Sequence, residues 1–301
     1  MDRFHLMSVF VAVADEEGFA AAARRLRMSP PAVTRAISAL EEHLGVKLLN
    51  RTTRYVRTSD AGQRYLEDAR RILAEVDSAD EAAAGINAEP HGHLAVTAPA
   101  LFGRKFITPG IVDYLQRYPN TEVSAVFLDR VVNLLEEGLD VGIRIGELPD
   151  SSMRALRVGS VRRVICASPE YLQQHGQPQT PDDLLQHTII ASSAISGSLD
   201  WRLNTAEGKP IRIKPRLTVN TNDAALEAAL EGFGVTRLLS YQVNQQLASG
   251  ALVRILETYE PAAWPVHIIH REGRYASAKI RTFVDLMAER LRADSSLNWF
   301  K

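Results

Sequence analysis

The sequence predicts an α/β chain built in three parts: a mostly helical winged helix-turn-helix, a long linker helix and a two-lobed α/β domain. Three observations predict it. Residues 18–59 hold two short helical patterns joined by a tight turn, with a strong local positive charge. Residues 60–86 keep one apolar stripe on a seven-residue repeat. From residue 91 onward, strand-like and helix-like patterns alternate, which is the order of an open sheet with helices on both faces.

The bulk numbers agree. The chain has 301 residues, a length at which single cores usually divide. With 46% hydrophobic and 24% charged residues it has ordinary globular composition. No apolar run approaches the ~18 residues of a membrane span, so no membrane partner is expected. The start, Met1-Asp2-Arg3-Phe4-His5, lacks the features of a signal peptide, and the one cysteine, Cys166, excludes an intrachain disulfide framework. Both predict a cytoplasmic protein.

Taken in order, residues 2–14 form a helix carrying Phe4, Met7, Phe10, Val11 and Ala14 on one side. An alanine-rich helix follows, holding Ala20 to Ala23 and Leu26. The turn Met28-Ser29-Pro30-Pro31 leads into a second helix whose stripe is Val33, Ile37, Leu40 and Leu44. Ser29 suits its N-cap and Pro31 its first turn. The outward face then carries Thr34, Arg35 and Ser38, the arrangement of a DNA-reading helix. Gly45 ends that helix, and Arg51-Thr52-Thr53-Arg54 reads as the tip of a wing between two short strands. Residues 24–57 contain eight bases and two acids, a net of +6, in a chain of formal charge −1. Such a basic segment is the footprint of contact with DNA phosphates; a solvated helical face is the plain alternative.

A helix starting at Ser59 or Asp60 repeats Tyr65, Ala69, Ile72, Val76, Ala79, Ala83 and Ile86 at alternating steps of four and three. That is the pattern of a helix paired with another helix, here a dimer; packing on its own domain is the other reading. It fades at Asn87-Ala88-Glu89-Pro90-His91-Gly92. Beyond it, strands are predicted at 94–97, 122–128, 140–145, 161–167, 188–191, 211–219, 235–239, 252–256 and 266–270. Helices are predicted at 104–118, 131–138, around Tyr171, at 223–231 and at 276–292. The expected domains are 1–59, 60–90 and 91–301. Within the last, lobe I takes about 91–161 and 268–301 and lobe II about 162–267.

In an open α/β fold, ligands bind outside the carboxyl ends of strands. Four segments end strands in this way. The first offers Ala98, Pro99, Ala100, Leu101 and Phe102, with backbone N–H groups suited to a carboxylate and an apolar wall at Ala100 and Phe102. The others offer Phe127 and Asp129, then Ser193 and Ser196, then Asn220 and Asn222. Ser and Asn at such places also serve simply as helix caps. No nucleotide fingerprint arises from Gly142, Gly146 and Gly159, and neither His91-x-His93 nor His267-x-x-His270 reads as a metal site. No catalytic arrangement, cofactor or metal is expected, and Cys166 reads as a buried, inert thiol. A solute-binding protein or an enzyme on the two-lobed part alone is disfavoured by the basic first sixty residues and the lack of a catalytic constellation.

Several runs resemble the LysR-type transcriptional regulators, over nearly the whole chain: Phe10-Val11-Ala12-Val13-Ala14, Ala22-Ala23-Arg24-Arg25-Leu26, Ser29 to Ile37, Leu40 to Arg54 and Thr58-Ser59-Asp60-Ala61-Gly62. Asp140 to Gly146, Cys166 to Leu172 and Glu231 to Val235 resemble the family's effector domain. The resemblance implies a winged helix on double-stranded promoter DNA, dimers through the linker helix, usually a homotetramer, and a periplasmic-binding-protein-like effector domain, whose strand-end segments as read above suit a small carboxylate or aromatic molecule. It further implies that this ligand alters DNA bending or contact with RNA polymerase. It puts Pro31, Thr34 and Arg35 at the DNA, Arg51 and Arg54 on the wing, and the inducer pocket in the four strand-end segments. Two positions depart from the family's pattern. Glu17-Gly18 stands where many members have Gly-Ser, and Pro30 where many have a base-reading Gln.

Overall fold

The computed structural model describes residues 2–51, 56–84, 89–148, 153–193, 200–206, 208–270 and 277–298. They fall into two compact units, 1–88 with 276–278 and 89–275 with 279–301. The first unit runs α1 (Arg3–Asp15), α2 (Phe19–Arg25), α3 (Pro30–Leu44), a hairpin of β1 (Leu49–Arg51) and β2 (Val56–Thr58), then the long α4 (Asp60–Ala84). Its core gathers Val9, Phe10 and Val13 of α1, Ala22 and Ala23 of α2, Val33, Ile37 and Leu40 of α3, and Leu66 of α4. Because α2, α3 and α4 all pack on α1, that helix buries Leu6, Val9, Ala12 and Val13 beyond the single predicted stripe, while Phe4 stays exposed.

Local chemistry fixes the joints. α2 closes with Met28 N–H on the Ala23 carbonyl and Arg27 N–H on Arg24, with Arg27 at φ 53 where glycine is usual. Gly45, at φ 66, closes α3 as predicted. Glu41 is buried and accepts from the backbone N–H groups of Leu48 (3.0 Å) and Leu49 (3.2 Å) and from Lys47 Nζ (2.6 Å), tying the strand leading to the wing to α3. Ser59 caps α4, accepting from Gly62 N–H at 2.9 Å while its hydroxyl donates to the Lys47 carbonyl at 2.7 Å. Gly62 has no room for a side chain: a Cβ there would lie 1.9 Å from the Leu48 carbonyl oxygen. The start of the seven-residue stripe faces its own unit. Ala69 is buried, and Tyr65 tilts against Phe10 with ring centroids 5.6 Å apart. The side chains of Ala79 and Ala83, and Ile86 altogether, lie outside the described residues.

The second unit begins with β3 (Gly92–Ala98). A helix opens as α5 (Ala100–Phe102), widens through a π-turn (Gly103–Ile107) and continues as α6 (Thr108–Arg117). Next come β4 (Thr121–Phe127), β5 (Val141–Ile145), β6 (Arg154–Val161), β7 (Arg163–Ala167), α7 (Pro169–His175) and β8 (Ile189–Ser192). Then follow β9 (Asp200–Trp201), β10 (Ile211–Arg212), β11 (Pro215–Val219), α8 (Asn222–Leu230) and β12 (Val235–Leu239). The chain ends with α9 (Ser240–Ser249), β13 (Val253–Ile255), β14 (Trp264–His270) and α10 (Ala278–Ala293). Two five-stranded sheets result, ordered β4-β3-β5-β14-β6 and β11-β8-β12-β7-β13. In each, four strands run in one direction and a single antiparallel strand, β14 in the first and β7 in the second, lies between the third and the edge strand. In the second, α8 covers a face made by Val164, Cys166, Ile190 and Leu238. The other face carries Ile165, Ile189, Val235, Trp201 and Ile211. Cys166 is sealed in this way, and burial pushes its thiol up to about 12.

The structure differs from the predicted elements in places that have local causes. The helix predicted at 131–138 does not form: 134–138 are turns, because the Asn133 side chain takes the Leu135 N–H at 3.1 Å and Gly138 turns left-handed at φ 64. The predicted strand 211–219 breaks into β10 and β11, and β6 and α9 appear where the pattern suggested no element. β14 starts at Trp264 and pairs with β6 along its length, so the expected lobe division at 267/268 falls inside a strand of the first sheet. Pro265 disguises that start; it is tolerated because the β5 ladder begins only at Val266. Among the described residues no helix is long and apolar enough to cross a membrane, and no cluster of His, Cys, Asp and Glu could hold a metal.

Candidate functional site

The α3 stripe buries Val33, Ala36, Ile37 and Leu40, which turns Pro31, Thr34, Arg35 and Ser38 outward together. Ser29 has the extended backbone of an N-cap (ψ 144), but its side chain makes no capping bond. The cap role predicted for its hydroxyl is therefore not taken up, and the group stays exposed beside the turn. Thr34 departs in the other direction. Its hydroxyl donates back to the Pro30 carbonyl at 3.1 Å, which leaves its methyl and oxygen lone pairs for a partner.

The basic residues separate into two groups. Arg25 pairs with Asp15 (3.2 Å) and Glu16 (3.5 Å), and Lys47 with Glu41 (2.6 Å). Arg24, Arg27 and Arg35 are exposed with no acidic partner among the described residues. Burial opposes ionisation of Glu41, but the bonds from Lys47, Leu48 and Leu49 outweigh it and hold the carboxyl below its ordinary value. Arg51 ends β1 opposite Val56, so a hairpin is in place for the wing. Thr53 and Arg54, expected at its tip, lie outside the described residues.

In the second unit the predicted ligand segments behave unequally. Pro99, Ala100, Leu101 and Phe127 are half-buried, but Ala98 and Phe102 are sealed. Phe102 packs on Phe106 at 4.7 Å and edge-on to Tyr241 at 5.3 Å, so it is core and not the apolar wall expected of it. The Ala100 N–H, proposed from sequence as a carboxylate receptor, already donates to Asp129 at 3.0 Å. An incoming carboxylate there would displace one anion with another. Ser193 gives both its N–H (2.9 Å) and its hydroxyl (3.3 Å) to the Val219 carbonyl, a structural use. Asn220 is exposed, and Ser196 lies outside the described residues. Asn222 keeps its place as a candidate. It is buried, and its amide oxygen has no hydrogen-bond partner among the described residues; the same holds for the Thr97 hydroxyl at the end of β3. An orphaned buried oxygen costs about 1–3 kcal/mol unless a ligand or water satisfies it.

A family profile described as "LysR substrate binding domain" matches residues 87–292, and one described as "Bacterial regulatory helix-turn-helix protein, lysR family" matches residues 4–63. The chain belongs to the LysR family of transcriptional regulators. Among its relatives is the transcriptional regulator CrgA of Neisseria meningitidis serogroup B (strain MC58), 32% identical over 95% of this chain and 96% of the relative. The solved CrgA structure superposes with a TM-score of 0.62 at 31% identity, covering 97% and 99% of the two chains. The transcriptional activator TtdR of Escherichia coli (strain 536) is 33% identical over 94% and 91%, and a transcriptional repressor of Pseudomonas aeruginosa (strain UCBPP-PA14) 33% over 96% and 92%. As a LysR-type regulator the protein combines a helix-turn-helix DNA-binding domain with an effector-binding domain.

Within this regulator, sequence reasoning missed the groups that join the two sheets. Lys105, in the π-turn after β3, donates from Nζ to the Tyr241 carbonyl (3.0 Å) and to Asn244 Oδ1 (2.8 Å) on α9. Burial lowers its pKa. Glycine is required where the π-turn starts, since a Cβ on Gly103 would fall 2.4 Å from the Phe127 ring. Lys105 carried no sequence signal, because its partners sit 136 and 139 residues away.

Proposed function

We propose that α3 enters the major groove of promoter DNA, with Arg35 reading a guanine, the Thr34 methyl meeting a thymine, and Ser29, Pro31 and Ser38 lying along the backbone and base edges. Arg51, Thr53 and Arg54 supply wing contacts. Two copies paired through the α4 stripe beyond Ala69 bring two such helices to the half-sites of a palindrome, and dimers assemble into a homotetramer in the cytoplasm. A small effector at the strand ends around Pro99, Ala100, Leu101, Phe127 and Asn222 changes how those copies present DNA to RNA polymerase. The observation that carries the DNA part is the single exposed face of Pro31, Thr34, Arg35 and Ser38, beside arginines with no acidic partner among the described residues.

A gel-shift titration on duplexes selected from random sequence tests it. Binding should weaken steeply with salt, and Arg35→Ala should lower affinity and relax the preference at one base position. Equal affinity of wild type and Arg35→Ala across salt concentrations would remove α3 from the interface.

A further inference from the structure

We infer that Arg163 and Arg237 form a receptor for an oxyanion, carboxylate or phosphate in class, at the crossover between the two sheets of the effector domain. The inference rests on the effector-regulated reading above and names the chemistry its ligand carries. β7 begins at Arg163, directly after the chain leaves the first sheet, and runs antiparallel to β12 with Arg163 opposite Leu239 and Ile165 opposite Arg237. Diagonal neighbours of this kind lie on the same face of a sheet, about 7 Å apart. That face is otherwise apolar: Ile165, Ile189 and Val235 line it and Ile211 of β10 packs with them.

Two cations side by side on an apolar face need an explanation. Arg237 is only 9% exposed. Its Nη1 and the Nε of Arg163 are both buried with no hydrogen-bond partner among the described residues. No acid among the described residues forms an ion pair with either. The neighbouring strand shows what a satisfied arginine looks like: Arg254 on β13 binds Glu260 through two guanidinium nitrogens and reaches Glu257 at 3.1 Å. Burial first, and then the charge of Arg163, pulls Arg237 down to about 9. Tryptophans cover the guanidinium planes, Trp201 at 4.8 Å from Arg237 and Trp264 at 3.9 Å from Arg163. Stacking satisfies the flat faces of the two groups but gives the in-plane N–H donors no acceptor. A planar or tetrahedral oxyanion supplies such acceptors to both forks at once.

Position links this receptor to regulation. Arg163 and Arg237 belong to the second sheet, on whose face Trp201 of the β9–β10 pair packs, while Trp264 opens β14 of the first and lies near Gly146 just after β5. An anion held there engages elements of both sheets, so its affinity depends on their relative posture. It also resolves the difficulty at Ala100, where Asp129 already holds the amide: the acidic end of an effector has a cationic receptor elsewhere.

Thermal unfolding of the full-length protein tests the inference, with sodium sulfate, phosphate, acetate, succinate and benzoate titrated at an ionic strength held constant with NaCl. At least one anion should give a saturable rise of about 5 °C or more at a hundredfold excess over its Kd. Arg237→Gln should weaken the apparent affinity at least about tenfold, and Arg163→Lys, which keeps the charge but loses the fork, by less. Whether carboxylates or phosphate and sulfate act identifies the source of the oxyanion. No saturable rise in the wild type overturns the inference. So does an unsaturable rise equal in wild type and Arg237→Gln, the signature of general salt stabilisation. Should Arg237→Gln lose its far-ultraviolet circular dichroism signal, Arg163→Gln and the wild-type titration decide. Binding of random duplex DNA at low salt should survive in Arg237→Gln; failure of the wild type to bind DNA would sink the DNA reading and leave the anion result standing.

Discussion

Arg35 and Arg237 both lack an acidic partner among the described residues, yet one stands in solvent on α3 and the other is nearly sealed in β12. Water solvates the first at no structural cost, so it is free to meet a phosphate or a base edge, and its contribution to binding falls with salt. The second has left its water behind, and only a partner of opposite charge with matching acceptors compensates for that. On the function proposed above, an unpaired arginine of the helical unit is a surface for a polyanion, and on the further inference one in the two-sheet unit is a socket for a small anion.

The largest expected effect tests whether burial makes this difference. Arg254 is a third case, partly buried and paired with Glu260, which is itself buried. Glu260→Ala should lower the unfolding free energy by about 3 kcal/mol in urea titration, because it takes the buried acid from Arg254 and leaves it only the exposed Glu257. A loss under 0.5 kcal/mol would mean that the two-sheet unit tolerates unpaired arginines as easily as α3 does, and the contrast would dissolve.

Next in size is Glu41, the buried acid of the helical unit. Glu41→Gln removes the charge that holds two backbone N–H groups and Lys47, and should cost about 1–3 kcal/mol. The pH dependence has a definite sign. The folded-state pKa is depressed, so the stabilisation is present above the unfolded carboxylate value of about 4.3 and is lost as pH falls through the lower folded value. Glu41→Gln should therefore flatten the acid limb of the stability curve; an unchanged limb would assign acid sensitivity to other carboxylates. Arg35→Ala comes third. It should leave stability within about 0.5 kcal/mol while weakening DNA binding by about 1–3 kcal/mol, and a variant that lost both would show Arg35 to be structural.

The two units also differ in how much the sequence disclosed. Helix periodicity is local, so the stripe Val33, Ile37, Leu40 and Leu44, the outward Thr34 and Arg35, and the glycine closing α3 were all legible within fifteen residues. The two-lobed fold was legible too, as alternating elements. Its contacts were not. Arg163 meets Arg237 across 74 positions, and Lys105 meets Asn244 across 139, pairings that follow from strand order and not from any local pattern. A single charge inside an apolar run, such as Arg237 in Val235–Leu239, was the one available hint. Strand-end segments were legible as places but not as roles, because whether Phe102 lines a pocket or fills a core depends on Tyr241.

The smallest predicted effect sharpens the comparison inside one turn of chain. Arg104 and Lys105 are neighbours in the π-turn, and each reaches the second sheet's elements. Arg104 lies 3.7 Å from Asp223 with both side chains largely exposed, and exposed pairs of that kind contribute little once solvent screens them. Lys105 has its ammonium partly enclosed and holds two acceptors on α9. Lys105→Met keeps a stem of similar length but removes the donor that Nζ gives the Tyr241 carbonyl and Asn244, and should lower stability by about 1 kcal/mol. Arg104→Ala should change nothing measurable. Amide hydrogen exchange at the start of α9 should quicken in Lys105→Met alone, since that helix loses a tether to the first sheet. If the two variants behaved alike, enclosure would not be what distinguishes an ion that fastens this domain from one that merely decorates it.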